Sequence, residues 1–177
     1  MGRPVWAALA AIALAAGARA DDHKHAAKGD ANPALEKLKK LAGEWVAVDD
    51  KGKPTDQVVS VFKVTAAGSA VHETIFPGAA HEMVSVYHLD GKDLLMNHYC
   101  ALGNQPRMKL DPKGKPNELK FVFAGGTNLD PAKDMHMHEG SITLVDDDHI
   151  EWTWSGYADG KKAEGHTVSM KLARKKK

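Results

Sequence analysis

About ten short stretches of alternating apolar and polar residues, separated by turn sequences, run through this chain of 177 residues. Alternation with a period of two puts successive side chains on opposite faces, so each stretch predicts a β-strand with one buried face. Asp90-Gly91, between two of them, is a strong hairpin signal. The predicted strands are Glu44–Asp49, Gln57–Thr65, Ala70–Phe76, Glu82–Leu89, Asp93–Ala101, Arg107–Asp111, Leu119–Ala124, Met135–Val145, His149–Tyr157 and Ala163–Ala173. Short strands joined by tight turns predict an all-β fold, as a single antiparallel up-and-down β-barrel or a closed sandwich.

Residues 1–20 have the pattern of a secretory signal peptide. Arg3 provides a positive start, Val5–Ala16 is an apolar run without charge, and Ala18-Arg19-Ala20 is a small-x-small cleavage sequence. The apolar run is too short to span a bilayer, so no stable membrane insertion is expected after cleavage. We therefore expect export, to the periplasm or the extracellular space, with cleavage near Ala20.

The remaining chain divides into a leader, one domain and a tail. Residues 21–33 are polar and Ala-rich, which predicts a disordered leader. Residues 34–174 form the predicted barrel domain, which opens with a short amphipathic helix at Ala34–Ala42, and residues 175–177 are a basic tail. The 24 basic and 23 acidic residues nearly cancel, which gives no electrostatic basis for nucleic-acid binding. Cys100 is the single cysteine, so the chain has no internal disulfide.

Histidines at strand spacing are the strongest sign of a functional site. His136 and His138 are two residues apart, so both imidazoles point to one side of an extended strand. His166 shares its strand face with the apolar residues of the last strand. If the strands are regular, this parity predicts that all three imidazoles face the interior of the barrel. A bulge at Gly140 would break the parity of the first pair.

Imidazole nitrogens bind zinc, copper, nickel or iron, and neighbouring side chains on one strand face are close enough to share an ion. His136 and His138 are therefore predicted metal ligands, with His166 or His98 as the third ligand. The alternative is that these histidines line a polar cavity, bonded to water and to one another.

Three further segments carry candidate chemistry. Cleavage at the predicted site would leave Asp21-Asp22-His23 at the amino terminus, a square-planar donor set for copper or nickel, although a solvated leader is the alternative. Cys100 shares a strand face with His98, which suggests a nucleophile, but a lone strand cysteine is usually a small buried apolar residue. Arg107 is placed to bind a carboxylate or phosphate at a barrel mouth, or to complete a structured turn.

The entry to the first strand, Leu41-Ala42-Gly43-Glu44-Trp45, looks like the Gly-x-Trp signature of lipocalin-like (calycin) barrels. In that signature the tryptophan plugs one end of the barrel, and a basic residue from the last strand, here Arg174, packs on it. Other segments resemble an exported bacterial barrel family of unknown function, namely Tyr87–Gly91, His98–Ala101, Gly103–Met108 and Met135–His138. The resemblance extends from about Leu35 to Ala173 and implies a fold without an established activity. Nitrobindin-like barrels, a related group, bind haem through a late-strand histidine, a part that His166 or His138 would take here.

These patterns predict an exported calycin-like β-barrel that binds a small ligand in a histidine-lined interior, with haem or a transition metal as the specific ligand. The predicted metal ligands are His136, His138 and His166, and the predicted ligand contacts are His98, Arg107, Trp152 and Trp154. The alternative for the two tryptophans, which the pattern favours, is an ordinary barrel core, because any barrel interior needs alternating apolar residues. Two alternative functions are an enzyme that uses the same histidines for metal or acid–base chemistry, and a structural or interaction protein of the envelope.

Overall fold

Ten strands pair in sequence order and close into a ring. The computed structural model describes residues 32–176, in which one α-helix, α1 (Pro33–Lys40), precedes the strands. The strands are β1 (Gly43–Val48), β2 (Pro54–Thr65), β3 (Ala70–Ile75), β4 (Met83–Asp90), β5 (Asp93–Tyr99), β6 (Gln105–Leu110), β7 (Glu118–Thr127), β8 (His136–Leu144), β9 (His149–Ala158) and β10 (Lys161–Arg174). Neighbouring strands are antiparallel, and β1 pairs with both β2 and β10. The predicted up-and-down barrel of about ten strands is confirmed.

The described part of the chain begins with the cap of α1. The side-chain oxygen of Asn32 accepts hydrogen bonds from the backbone N–H groups of Ala34 at 3.0 Å and Leu35 at 3.2 Å. Because Asn32 caps the helix and Pro33 suits its first turn, α1 begins one residue before the predicted start. The predicted signal peptide and most of the predicted leader lie outside the described residues, as does Lys177. Within residues 32–176, no helix has the length and apolar character needed to cross a membrane.

The helix α1 closes one end of the barrel, because its apolar face is buried against the core. Trp45 on β1 is fully buried there and donates its indole N–H to the carbonyl of Leu41 at 2.8 Å. The guanidinium carbon of Arg174, at the end of β10, lies 4.5 Å from the centre of the Trp45 ring, and the group donates to two carbonyls at the end of the helix. This cation–π contact ties the last strand to the first and holds the helix in place.

Cross-strand register shows which side chains share the interior. Phe62 on β2 lies opposite Glu73 on β3, and Tyr87 on β4 lies opposite Met96 on β5. Large apolar side chains fill the interior between α1 and the middle of the barrel, including Trp45, Phe62, Val71, Tyr87, Leu94, Met96, Met108, Leu119, Phe121, Ile142, Ile150 and Leu172. The barrel is therefore packed with side chains near its closed end.

Several strand pairs depart from regular register, and the departure on β8 affects the predicted site. On β8 the register shifts between Met137 and Glu139, which makes His138 the extra residue of a bulge. The sequence suggested Gly140 as the position of this irregularity, but Gly140 pairs regularly with Trp154. A bulge bends its strand and turns the inserted side chain away from the regular alternation. The parity that placed both His136 and His138 on the interior face is therefore broken at His138.

Candidate functional site

A cavity of about 340 Å³ lies at the end of the barrel opposite α1. Its walls come from the β3–β4, β5–β6 and β7–β8 connections and from the adjoining parts of β8, β9 and β10. The lining residues are Phe76, Met83, Cys100, Leu102, Met135, His136, Met137, Trp152, Trp154, Ser155, Gly156, Gly165, His166 and Val168. A volume of this size is at the lower end of the range, roughly 300–1,000 Å³, that is usual for small-molecule sites.

The lining of the cavity is apolar and carries no formal charge. Among the described residues that line it there is no Asp, Glu, Lys or Arg, and the polar side chains are those of Cys100, His136, Ser155 and His166. At the rim, Leu102 is 60% exposed and Val168 is 49% exposed. Apolar surface therefore continues from the solvent into the cavity, which is a feature of binding sites rather than of an ordinary surface.

Two tryptophans from β9 form the floor of the cavity. Trp152 and Trp154 are both buried, and their rings meet edge to face with centroids 5.0 Å apart. Trp154 packs directly over Gly140, where an added Cβ would lie 2.2 Å from the Cζ3 atom of the indole ring. The glycine thus provides room for the ring, and any side chain at that position would displace part of the floor.

Three buried nitrogens at or behind the floor have no hydrogen-bond partner within the described residues: Nε1 of Trp152 and Nε1 of Trp154, whose rings line the cavity, and Nε2 of His98, which does not line it. The imidazole of His98 stacks on Trp154 with ring centroids 5.9 Å apart. Leaving a buried polar group unpartnered costs about 1–3 kcal/mol, and such groups in folded proteins usually meet water or a ligand. Two of the three belong to rings that line the cavity, and all three nitrogens are themselves buried.

Buried hydrogen bonds lie in the core below this floor, in two groups. The Nδ1 atom of His98 lies 3.0 Å from the hydroxyl oxygen of Ser85. Tyr87 donates to Oε2 of Glu73 at 2.6 Å, and Ser60 donates to Oε1 of the same carboxyl group. Since His98 and Ser85 are both buried, their hydrogen bond fixes the orientation of the His98 ring.

Burial shifts the pKa values of Glu73, Tyr87 and His98. Burial raises the pKa of Glu73 to about 7, although the hydrogen bonds from Ser60 and Tyr87 oppose the rise. Burial also raises the pKa of Tyr87 well above its usual value, and the neighbouring Glu73 adds to the increase. For His98, burial lowers the pKa to about 4, because the cationic form loses its hydration. His98 is therefore neutral near pH 7.

The two histidines of β8 form a hydrogen-bonded pair at the side of the cavity. His136 lines the cavity and is 1% exposed, and its Nδ1 lies 2.7 Å from the carbonyl oxygen of Asp134. Its Nε2 lies 2.9 Å from Nδ1 of His138. The His138 ring is stacked on Phe123 at 4.7 Å and on Tyr157 at 3.8 Å between centroids. Burial, followed by the proximity of His136, lowers the pKa of His138.

The predicted metal ligands do not come together as a set that fits an ion. Both ring nitrogens of His136 are engaged by Asp134 and His138, and His166 stands on another strand as an exposed residue. No three His, Cys, Asp or Glu side chains within residues 32–176 are grouped so that they could hold a metal ion. The arrangement agrees with the alternative expectation, in which the histidines bond to one another beside a cavity.

The haem prediction depends on a late-strand histidine. His166 lines the cavity from the irregular part of β10, where register shifts between Lys162 and Thr167. It lies beside Gly156, whose added Cβ would be 3.4 Å from the His166 Cβ atom. His138, the other residue suggested for this part, is held by His136 and its aromatic neighbours. Haem binding stays a prediction.

Other predicted site residues occupy different places. Arg107 is exposed on the outer face of β6, because the buried Met108 takes the inward position, and its Nε donates to the side chain of Asn97 at 3.3 Å. Arg107 does not line the cavity. Cys100 does line it, but the Nδ1 atom of His98 hydrogen-bonds to Ser85 rather than to the thiol. The nucleophile hypothesis for Cys100 therefore has no geometric support in residues 32–176.

Sequence reasoning missed the buried carboxyl group of Glu73. In the predicted strand Ala70–Phe76, this residue has the same parity as Val71 and Ile75, so an acidic side chain shares an otherwise apolar face. A charged residue on a buried face requires partners, and Ser60 and Tyr87 supply them. The parity of Glu73 was the available signal.

Comparison with models of known protein families finds no match to this chain, and no curated protein matches it.

Proposed function

We propose that this barrel binds a small, largely apolar ligand in the cavity at its open end. The observation that carries the proposal is the cavity itself, whose walls are mostly apolar and include the rings of Trp152 and Trp154. An apolar cavity with a few polar groups at one point is the common form of a small-molecule site. Side chains fill the barrel near α1, so the ligand would occupy the mouth and not the whole interior.

The walls and the floor would contribute differently to binding. Burial of the apolar part of the ligand against the walls supplies free energy of about 25 cal/mol for each Å² removed from water. Hydrogen bonds to the polar lining side chains of His136, Ser155 and His166 would add less to affinity and would orient the ligand. Leu102 and Val168 at the rim offer apolar surface along which the ligand would enter.

The proposal places this binding outside the cytoplasm. Its support is the signal-peptide pattern of residues 1–20, with Arg3 before an uncharged apolar run and a small-x-small sequence ending at Ala20. Amino-terminal sequencing of the protein recovered from the periplasm or medium tests this part, and the expected new terminus is Asp21.

The binding proposal is tested with the neutral fluorescent probe N-phenylnaphthylamine and two matched variants. Val168→Glu places a carboxylate at the rim of the cavity, whereas Val145→Glu places one at a 57% exposed valine after β8, near the closed end. We expect Val168→Glu to weaken probe binding by about tenfold or more, because a charge in an apolar site is desolvated without a partner. Val145→Glu should bind as the wild type does. Equal probe binding by all three proteins would overturn the proposal.

The identity of a ligand retained during purification is a separate measurement. Native mass spectrometry, metal analysis and an absorption spectrum of the mature protein would each report a bound molecule. A Soret band would identify haem as the ligand, and a stoichiometric ion would identify a metal. An organic compound released by denaturation is the result that the apolar cavity favours.

A further inference from the structure

We propose a second binding site, on the outer face of the barrel, whose ligand is a sugar acid with its carboxylate on Arg107 and its ring against Tyr99. The site is a depression of about 480 Å³ on β5, β6 and β7. Among the described residues, those that line this depression and those that line the cavity are different. The proposal therefore goes beyond the proposed function and does not depend on it.

Arg107 is an exposed cation whose hydrogen-bonding capacity is only partly used. Its Nε donates at 3.3 Å to the side-chain oxygen of Asn97, the residue opposite it on β5, and this bond orients the guanidinium. Within residues 32–176 this is the single hydrogen bond of the Arg107 side chain, so both Nη atoms stay available. A guanidinium with both Nη atoms free can bind a carboxylate through two parallel hydrogen bonds.

Lys109 provides the contrast on the same face of the same strand. It lies two residues after Arg107 on β6, and its Nζ is bonded to Asp93 of β5 at 2.7 Å. The positive charge of Lys109 is thus paired, whereas no ion pair within residues 32–176 includes Arg107. Because Asp93 is already engaged by Lys109, the charge of Arg107 is left for a ligand.

The charge of the depression favours an anion. Arg107 carries the only formal charge among the described residues that line it. An anionic ligand therefore meets a counter-charge there, and a cationic ligand would meet repulsion. The cavity at the open end differs, because its described lining residues carry no formal charge.

A bulge in β7 provides the space beside Arg107. Pro106 pairs with Gly126 and Met108 pairs with Phe123, so β7 has one residue more than β6 between these two pairs. Gly125, inside this bulge, has a φ of +116°, which a residue with a side chain rarely adopts. No atom lies within 4 Å of the place where a Gly125 Cβ would be. The glycine thus leaves open room at the depression that it lines.

The neutral lining residues suit a polyhydroxylated ring. Tyr99 lines the depression and is 52% exposed, so its ring offers a flat apolar surface with a polar tip. Gln105 and Thr127 lie opposite each other on β6 and β7, and the Thr127 hydroxyl donates to the Gln105 amide oxygen at 2.9 Å. The amide and the hydroxyl keep further donor and acceptor capacity for sugar hydroxyl groups. A guanidinium, an aromatic ring and neutral polar side chains together match a sugar acid.

A nitrogen-15 NMR titration of the labelled mature protein with four separate probes tests this proposal. The probes are D-glucuronate, D-glucose without the carboxylate, cyclohexanecarboxylate without the hydroxyl groups, and inorganic phosphate. We expect D-glucuronate to bind about tenfold more tightly than each of the others, because only it uses the charge, the ring and the polar groups together. The backbone amide signals of Gly125 and Gly126 should shift with D-glucuronate, since both residues line the depression.

Three variants separate the parts of the site. Arg107→Gln should weaken D-glucuronate binding about tenfold, to the level of D-glucose. Lys109→Gln is the matched control, because it removes a cation from the same strand face outside the depression, and it should bind D-glucuronate as the wild type does. Tyr99→Ser should weaken D-glucuronate and D-glucose alike. Thermal unfolding of each variant verifies that it is folded.

Several results would overturn the proposal. They are the absence of D-glucuronate binding, equal binding of D-glucuronate by wild type and Arg107→Gln, and an equal loss in Arg107→Gln and Lys109→Gln. Inorganic phosphate or cyclohexanecarboxylate that binds as tightly as D-glucuronate would overturn the sugar acid as the ligand. None of these results bears on the cavity, whose binding is measured separately with N-phenylnaphthylamine.

Discussion

His136 and His138 share a hydrogen bond in which the Nε2 atom of the first lies 2.9 Å from the Nδ1 atom of the second. This contact exists because β8 carries a bulge at His138, which brings together two rings that would otherwise stand about 6.5 Å apart or more along a strand. The carbonyl of Asp134 bonds to the remaining nitrogen of His136. The pair is thus satisfied internally, and it forms a fixed side wall of the cavity.

The hydrogen bonds of this histidine pair determine which nitrogen of each ring carries a proton. Because the Asp134 carbonyl can only accept, His136 must be protonated at Nδ1, so its Nε2 accepts the proton of His138 Nδ1. Nitrogen-15 NMR of labelled protein should show both rings as Nδ1–H tautomers at neutral pH. Burial and His136 lower the pKa of His138, so its titration midpoint should lie below the usual 6.5. An Nε2–H tautomer of His136 would contradict this arrangement.

Acid should weaken the barrel through His98. Its pKa is about 4 when folded and 6.5 when unfolded, so the unfolded state binds more protons between these values and stability falls as pH decreases from 6.5 to 4. The loss from this residue is about 3 kcal/mol. Urea unfolding of wild type and His98→Gln at pH 7 and pH 4 isolates it. We expect the difference in unfolding free energy between the two proteins to shift by this amount in favour of the variant, and an unchanged difference would contradict the prediction.

Glu73 should act in the opposite direction. Its pKa is about 7 when folded and 4.5 when unfolded, so the folded state binds more protons between these values. Its contribution to stability is fully present below pH 4.5 and is lost as pH rises through 7. Glu73→Gln removes this titration, so its unfolding free energy relative to wild type should rise by roughly 2–3 kcal/mol between pH 5 and pH 8. Glu164→Gln, at an exposed position on β10, is the control and should show no such trend.

Gly140 should not tolerate a side chain. An added Cβ would lie 2.2 Å from the Trp154 ring, so Gly140→Ala must displace the indole and disturb the cavity floor. We expect a loss of about 1–3 kcal/mol in unfolding free energy, as for other overpacked cores, together with weaker binding of N-phenylnaphthylamine. Gly114→Ala is the matched control, since its nearest contact would be 3.4 Å. Equal stability of the two variants would show that Trp154 does not depend on the glycine.

The architecture was predictable because strand alternation and turn chemistry are local properties. Asp90-Gly91 does join β4 to β5, and each of the ten predicted strands corresponds to an observed one. Boundaries were less accurate, as β2 begins at Pro54 rather than Gln57. Pairing with β1 continues there beyond the alternating residues, with Val48 opposite Pro54, and this depends on a neighbour distant in the sequence.

The site was only partly predictable because its geometry depends on departures from regular strands. Parity correctly assigned Trp152 and Trp154 to a common face, and it placed His166 at the cavity. It failed at His138, since a bulge has no reliable local signature, and the ring of the inserted residue stacks on Phe123 and Tyr157. Arg107 was expected near the ligand, but the inward position of Met108 forces it to the outer surface.

The central claim is that a ligand occupies the cavity above the two tryptophans of β9. The most direct test is a nitrogen-15 NMR titration of the indole N–H signals with N-phenylnaphthylamine. The account predicts large shifts for Trp152 and Trp154, whose rings line the cavity, and no shift for Trp45, which is buried at the closed end and bonded to Leu41. Signals of Trp152 and Trp154 that stay unchanged at saturating N-phenylnaphthylamine, or that move no more than that of Trp45, would contradict it.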